Sequence, residues 1–199
     1  MSAGASVWTQ SLAAFREGTA ANQPTPGCGA AAAVTADIGL ALVLKGLRIS
    51  EDHESVAARL RLVQSAEALL GRPGAFADDD MQAFGDYLSA AHEGQPEQQQ
   101  ATSRQACAVP LALAHCCVQA LSLAVAAWPQ VVPMVRSDVQ AGGVLIHAAL
   151  SAALINVDAD LPMVEDASAR DQTGQARRRL QEQADELLDQ VQQAGLGSD

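Results

Sequence analysis

Aromatic residues are scarce in this chain. Three Phe, two Trp and one Tyr make up 3% of 199 residues, although 49% are hydrophobic. A core with so few rings must be filled by Ala, Leu and Val, and side chains this small let helices pack closely. Period-two runs of Val, Ile, Thr and Tyr between turn dipeptides are also missing, which argues against a sheet. Apolar periodicity near 3.6 residues fills most segments instead, so the fold is expected to be all-α. Lysine is reduced to Lys45, and the formal net charge is −11. Phosphate neutralisation needs a Lys/Arg surface, so a nucleic-acid partner is excluded. Cys28, Cys107, Cys116 and Cys117 show no CxxC spacing, and three of them sit among apolar residues, as reduced, buried thiols do. The first residues, MSAGASVWTQ, have neither the basic region nor the apolar core of a signal peptide, and a cytoplasmic location is expected. His115, Cys116, Cys117 and His147 match no usual zinc spacing, so no metal site is expected.

No repeat and no shift of composition divides the chain, and residues 1–199 read as one domain. A domain of this length can bury about 70% of its unfolded surface. About seven helices are expected in a bundle. The first runs over Ser6 to Glu17 with Gly18 as its stop, and the second over Ala30 to Leu47. Ser50 or Asp52 caps a third that reaches Leu70 and is closed by GRPG at Gly71 to Gly74. Ala75 to Ala91 forms the fourth, and Gln98 to Ala127 the fifth, with Pro110 as a site for a kink. Arg136 to Asn156 is the sixth, and Met163 to Ala194 a charged outer helix. Cys28 to Leu47 and Cys107 to Trp128 are nearly long and apolar enough to cross a membrane. Asp37 and Lys45 interrupt one, and Pro110, His115 and Gln119 the other, so both read as buried helices with no membrane partner.

The second helix is launched from PTPGCG at Pro24 to Gly29. Two prolines stiffen the approach, and the glycines and alanines that follow leave the first-turn N–H groups uncovered. Such a stretch serves as a floor for a ligand or as a tight contact with another helix. The fourth helix opens with Asp78, Asp79 and Asp80, where carboxylates suit a helix N-terminus. At 100° per residue Asp80 shares a face with Phe84 and Tyr87, and a carboxyl held beside rings gains proton affinity and can act as a general acid or base. Ser137 or Asp138 is a natural N-cap for the sixth helix, whose glycines and alanines keep it thin, and Asn156 stands at its far end.

Four stretches together carry a resemblance. PTPGCGAAAAVTADIGLALVLKGL resembles the PTPGGGSAAA opening of the cyclodeaminase/cyclohydrolase family of folate enzymes. ADDDMQAFGDYLSA looks like its DxxAF segment, AVPLALAHCC is similar to its VPL helix, and RSDVQAGGVLIHAALSAALINV is similar to its SD…AAL…LNV helix. They come in the family's order and span most of Phe15 to Val157. The chain departs from the pattern at Cys28, where the family has glycine. ISEDHES at Ile49 to Ser55 replaces a GKKKY-like basic segment, and DADLP follows Val157 where a basic or amide residue is common.

The resemblance implies an all-α homodimer that binds a tetrahydrofolate derivative as substrate, with no metal or redox cofactor. It assigns the catalytic carboxylate to Asp80 and the substrate cleft to Thr25, Pro26, Gly27, Gly29, Phe84, Asp138 and Asn156. Lys45, Arg48, Arg104 and Arg136 remain as candidates to hold the anionic folate tail. Two reactions are open, hydrolysis of 5,10-methenyltetrahydrofolate to 10-formyltetrahydrofolate and cyclisation of 5-formiminotetrahydrofolate with loss of ammonia. The first is favoured because no formiminotransferase segment is fused in this sequence. A non-catalytic folate-binding or protein-binding relative is the alternative of another class, suggested by the missing basic segment.

Overall fold

A computed structural model describes residues 6–51, 56–94 and 96–196. Seven α-helices make up the described chain: α1 (Leu12–Ala20), α2 (Cys28–Ile49), α3 (Val56–Leu69), α4 (Arg72–Glu93), α5 (Pro96–Ala127), α6 (Arg136–Asp160) and α7 (Ala167–Leu196). There is no strand among the described residues.

Boundaries differ from the sequence expectations where a cap sits elsewhere. Ser6 caps only the single 3₁₀ turn Val7–Thr9, and Ser11 caps α1 by accepting the Ala14 N–H, so α1 starts late and runs through Gly18. Ser50 does not cap α3. It ends α2, buried, where its hydroxyl donates to the Gly46 carbonyl and accepts the Val132 N–H; Asp52 lies outside the described residues. GRPG opens α4 rather than closing α3. Gly71 alone makes the turn, at a left-handed φ of 84°, and Pro73 sits in the first helical turn, where its missing N–H costs nothing. Asp78 to Asp80 therefore lie two turns inside α4, too deep to cap it. The N-cap of α6 is Val135, not Ser137 or Asp138. Asp166 caps α7 through the N–H groups of Ser168 and Ala169, which moves its start to Ala167. Helix α5 is continuous through Pro110.

The core is built on α2 and α6, which pack with almost no side chain between them. A Cβ on Gly142 would stand 2.6 Å from the Gly39 carbonyl oxygen, and one on Gly39 would stand 2.8 Å from Ile146. Gly39 faces Gly142 and Ile146, Gly46 faces Val139, and Cys28 meets Asn156, so the two helices run antiparallel. Leu40, Val43, Leu44, Leu47, Ile146, Leu150 and Leu154 fill the space on either side. Their counterparts from α5 include Leu113 and Leu121. Helix α7 closes the bundle with a narrow stripe, Leu180, Ala184 and Val191, as expected for an outer helix. Among the described residues three helical stretches, around α2, α5 and α6, are long and apolar enough to cross a membrane, one more than the sequence reading named. Their inner faces supply this core.

Helices α2 and α4 are tied by an exchange of caps. Neither Gly27 nor Gly71 has a side chain to satisfy the N–H groups of the helix it starts. Asp37 on α2 accepts from Gly71 at 2.8 Å and from Gly74, at the start of α4. Asp80 on α4 accepts from Ala30, at the start of α2. Two carboxylates thereby set the antiparallel register of this pair.

Candidate active site

The cap supplied by Asp80 places it at the floor of a cavity of about 130 Å³, bounded by the N-terminus of α2, the middle of α4 and α5 and the C-terminal end of α6. Pro24, Thr25, Gly27, Cys28, Gly29, Asp80, Phe84, Ala106, Asn156 and Asp160 line it. Three consecutive aspartates have three separate environments, because successive helical residues point 100° apart. Asp78 accepts the Val7 N–H at 2.9 Å and fastens the N-terminal turn. Asp79 faces solvent. Asp80 turns inward, and a Cβ on Gly29 would overlap its carboxylate. Only glycine leaves room for that approach.

Asp80 is held by two donors, the Ala30 N–H and the Asn156 amide, whose Nδ2 lies 3.1 Å from Oδ1. Cys28 donates its thiol proton to the other end of that amide, with Sγ 3.1 Å from Oδ1 of Asn156. The thiol thereby fixes which way the amide faces. Burial, and next the charge of Asp80, push the Cys28 thiol above its ordinary range, so it stays protonated and able to donate. Burial likewise raises the proton affinity of Asp80, opposed by the Ala30 and Asn156 hydrogen bonds. Phe84 stands one turn along from Asp80 and meets Tyr87 with ring centroids 6.2 Å apart.

Sequence reasoning missed Asp160. It is 5% exposed, and its proton affinity is pushed up to about 6 by burial first and the Asp80 charge second. Its spacing of four from Asn156 puts both on one face of α6, and that signal was present in the sequence. Of the residues assigned to the substrate cleft, Thr25, Gly27, Gly29, Phe84 and Asn156 line the cavity. Pro26 turns its ring toward Gly18 of α1. Asp138 lies elsewhere: it is 18 residues from Asn156 along α6, about 27 Å at helical rise, and binds Lys45 at 2.9 Å. The four cations considered for the folate tail are also away from the cavity lining. Lys45 is taken by Asp138, Arg48 by Glu67 and Arg104 by Asp166, while Arg136 lies over the ring of Trp128. His147 pairs with Asp185 at 2.6 Å. No three His, Cys, Asp or Glu side chains converge as a metal site would need among the described residues.

A carboxyl raised in proton affinity, aimed by an amide into a small cleft that no cation lines, can stabilise a positive centre and move a proton at it. Comparison with curated proteins gives no match. Among solved structures the fold is similar to formiminotetrahydrofolate cyclodeaminase from Thermotoga maritima, with a TM-score of 0.89 and 20% sequence identity over 94% of this chain and 96% of that one. The family model described as formiminotransferase-cyclodeaminase matches residues 11–179. The match takes in the PTPG turn, the Asp80 segment and the Asn156 helix, and the chain belongs to that family of folate cyclodeaminase/cyclohydrolase enzymes.

Proposed function

We propose that this chain hydrolyses 5,10-methenyltetrahydrofolate to 10-formyltetrahydrofolate. The observation that carries the reading is Asp80, held by Ala30 and Asn156 with its carboxylate in a cleft that no cation lines. The reacting carbon of this substrate bridges two nitrogens and carries positive charge, so a fixed carboxylate stabilises it without reorganising. Asp80 then takes a proton from the water that adds to that carbon. Having released this proton to solvent, it takes the hydroxyl proton as the carbon–nitrogen bond breaks and passes it to the departing nitrogen, so that Asp80 ends as the carboxylate it began. A folate is far larger than the cavity, so only its one-carbon end enters and the rest lies across the PTPG turn. The reading extends to a homodimer, supported by the apolar stripes that α2 and α6 leave exposed.

A second reading, cyclisation of 5-formiminotetrahydrofolate with release of ammonia, is favoured by the family match, whose description includes cyclodeaminase. The same carboxyl would take the proton of the attacking nitrogen and return one to the departing amine. Both are tested in one spectrophotometer. Loss of the near-ultraviolet absorbance of methenyltetrahydrofolate faster than in buffer supports hydrolysis, and gain of that absorbance from formiminotetrahydrofolate with ammonia release supports the deaminase. No acceleration of either by the folded protein rejects both. Asp80→Asn should keep its fold and lower kcat by about 10²–10⁴-fold, the range for a general acid or base.

A further inference from the structure

Asp160 is a buried acid with no partner. Its carboxyl makes no hydrogen bond or ion pair among the described residues, although the residue is only 5% exposed and lines the cavity that holds Asp80. Its oxygens are not sealed in the interior but open on the cavity, where a ligand can reach them. The groups that bear on it from the surrounding helices do not compensate it. Asp80 comes from α4, the Cys28 thiol from α2 and the Cys107 thiol from α5, while Asp158, on its own helix, is bound by Arg177 of α7 and does not act on it. All are neutral or negative. Cys28 gives its proton to Asn156, not to Asp160, and among the described residues no Lys, Arg or His lines the cavity.

We propose that Asp160 is a second ligand-facing carboxyl of this site, that it and Asp80 hold one proton between them in the free protein, and that a cationic one-carbon group displaces that proton on binding. Asymmetry of the donors decides where the proton rests. Asp80 takes hydrogen bonds from Ala30 and Asn156, which favour its charged form, and Asp160 takes none, so the proton sits on Asp160. Two carboxylates sharing one site do not ionise independently. When a positive carbon arrives, both become anionic and flank it, and one proton leaves for solvent. No covalent bond of the protein changes. Burial raises the proton affinity of Asp160 in the direction this requires.

The inference rests on the folate reading above, since that reading supplies the cation. Its test is the pH dependence of KM for methenyltetrahydrofolate between about pH 5 and pH 7.5, with wild type, Asp160→Asn and Asp160→Glu checked for fold by circular dichroism. In the wild type KM should fall with rising pH, by up to about tenfold per unit at its steepest, as proton release ceases to oppose binding. Asp160→Asn should lose that slope and bind about tenfold more weakly at the upper end, and Asp160→Glu should restore the slope. Wild-type turnover with the same slope in Asp160→Asn overturns the shared proton and leaves the folate reading standing. No turnover by the wild type overturns both.

Discussion

Gly29 decides how close Asp80 can come to the start of α2, and it does so by having no Cβ. Gly29→Ala should push the carboxylate out of the cleft and lower kcat at least about tenfold, the range lost when a catalytic group is slightly misplaced. Stability should fall too, by about 0.5–2 kcal/mol, because the displaced carboxylate no longer caps the Ala30 N–H. Activity and thermal unfolding measured together check this, and unchanged kcat contradicts it. Asp160 has the opposite balance. Its carboxyl holds a proton up to about pH 6 when folded, against an ordinary value of 3.8. Between those limits the folded chain binds more proton than the unfolded one, so stability falls as pH rises through the window, and the full cost persists above it. The cost arises from burial first and from the charge of Asp80 second. Asp160→Asn should therefore melt several degrees higher than wild type at about pH 7 and show little difference near pH 4. A lower melting temperature at neutral pH would show that the carboxylate is compensated after all.

Two helix pairs set the site, by different means. Helices α2 and α4 are held in register by exchanged carboxylates, Asp37 and Asp80, each satisfying the N-terminus of the other helix. Helices α2 and α6 are held by bare backbone at Gly39 and Gly142. A methyl group on Gly142 meets a carbonyl at 2.6 Å, which cannot swing aside as a side chain can, and Val43 at 2.9 Å. Gly142→Ala should cost about 1–3 kcal/mol as an overpacked core, with a matching fall in denaturation midpoint. Gly85, on α4, is the control: nothing lies within 4 Å of an added Cβ, so Gly85→Ala should stabilise by about 0.5–1 kcal/mol. These caps were hidden in the sequence. Asp37 read only as a charge interrupting an apolar run, and GRPG as a terminator, because a cap given by another helix leaves no local pattern.

Across the whole molecule, the apolar surface exceeds what one bundle covers. Ile38 and Ile49 on α2, each 47% exposed, are eleven residues apart and so fall on one stripe. Val144 and Ile155 on α6 repeat the same spacing at 44% and 63% exposure. Exposed apolar residues lined up in this way mark contacts between chains more often than scattered ones do. Sedimentation should give a particle of twice the 20.6 kDa chain mass, and Ile38→Glu with Val144→Glu should halve it. A wild-type monomer at micromolar concentration would reject the dimer.

Helix content, the thin-walled packing of α2 and α6, the PTPG turn and the inward direction of Asp80 were set by local signals: periodicity, residue size, proline and glycine chemistry, and the 100° step of a helix. The family resemblance also placed Asp138 in the cleft, although α6 carries it about 27 Å from Asn156. Tertiary structure alone decided which N-terminus each aspartate satisfies, that Lys45, Arg48 and Arg104 are spent on acids of this chain, and that Asp160 is buried without a partner. The reason is one of range. A repeat of 3.6 residues fixes the face on which a side chain lies, whereas charge and burial depend on what other helices bring to that face.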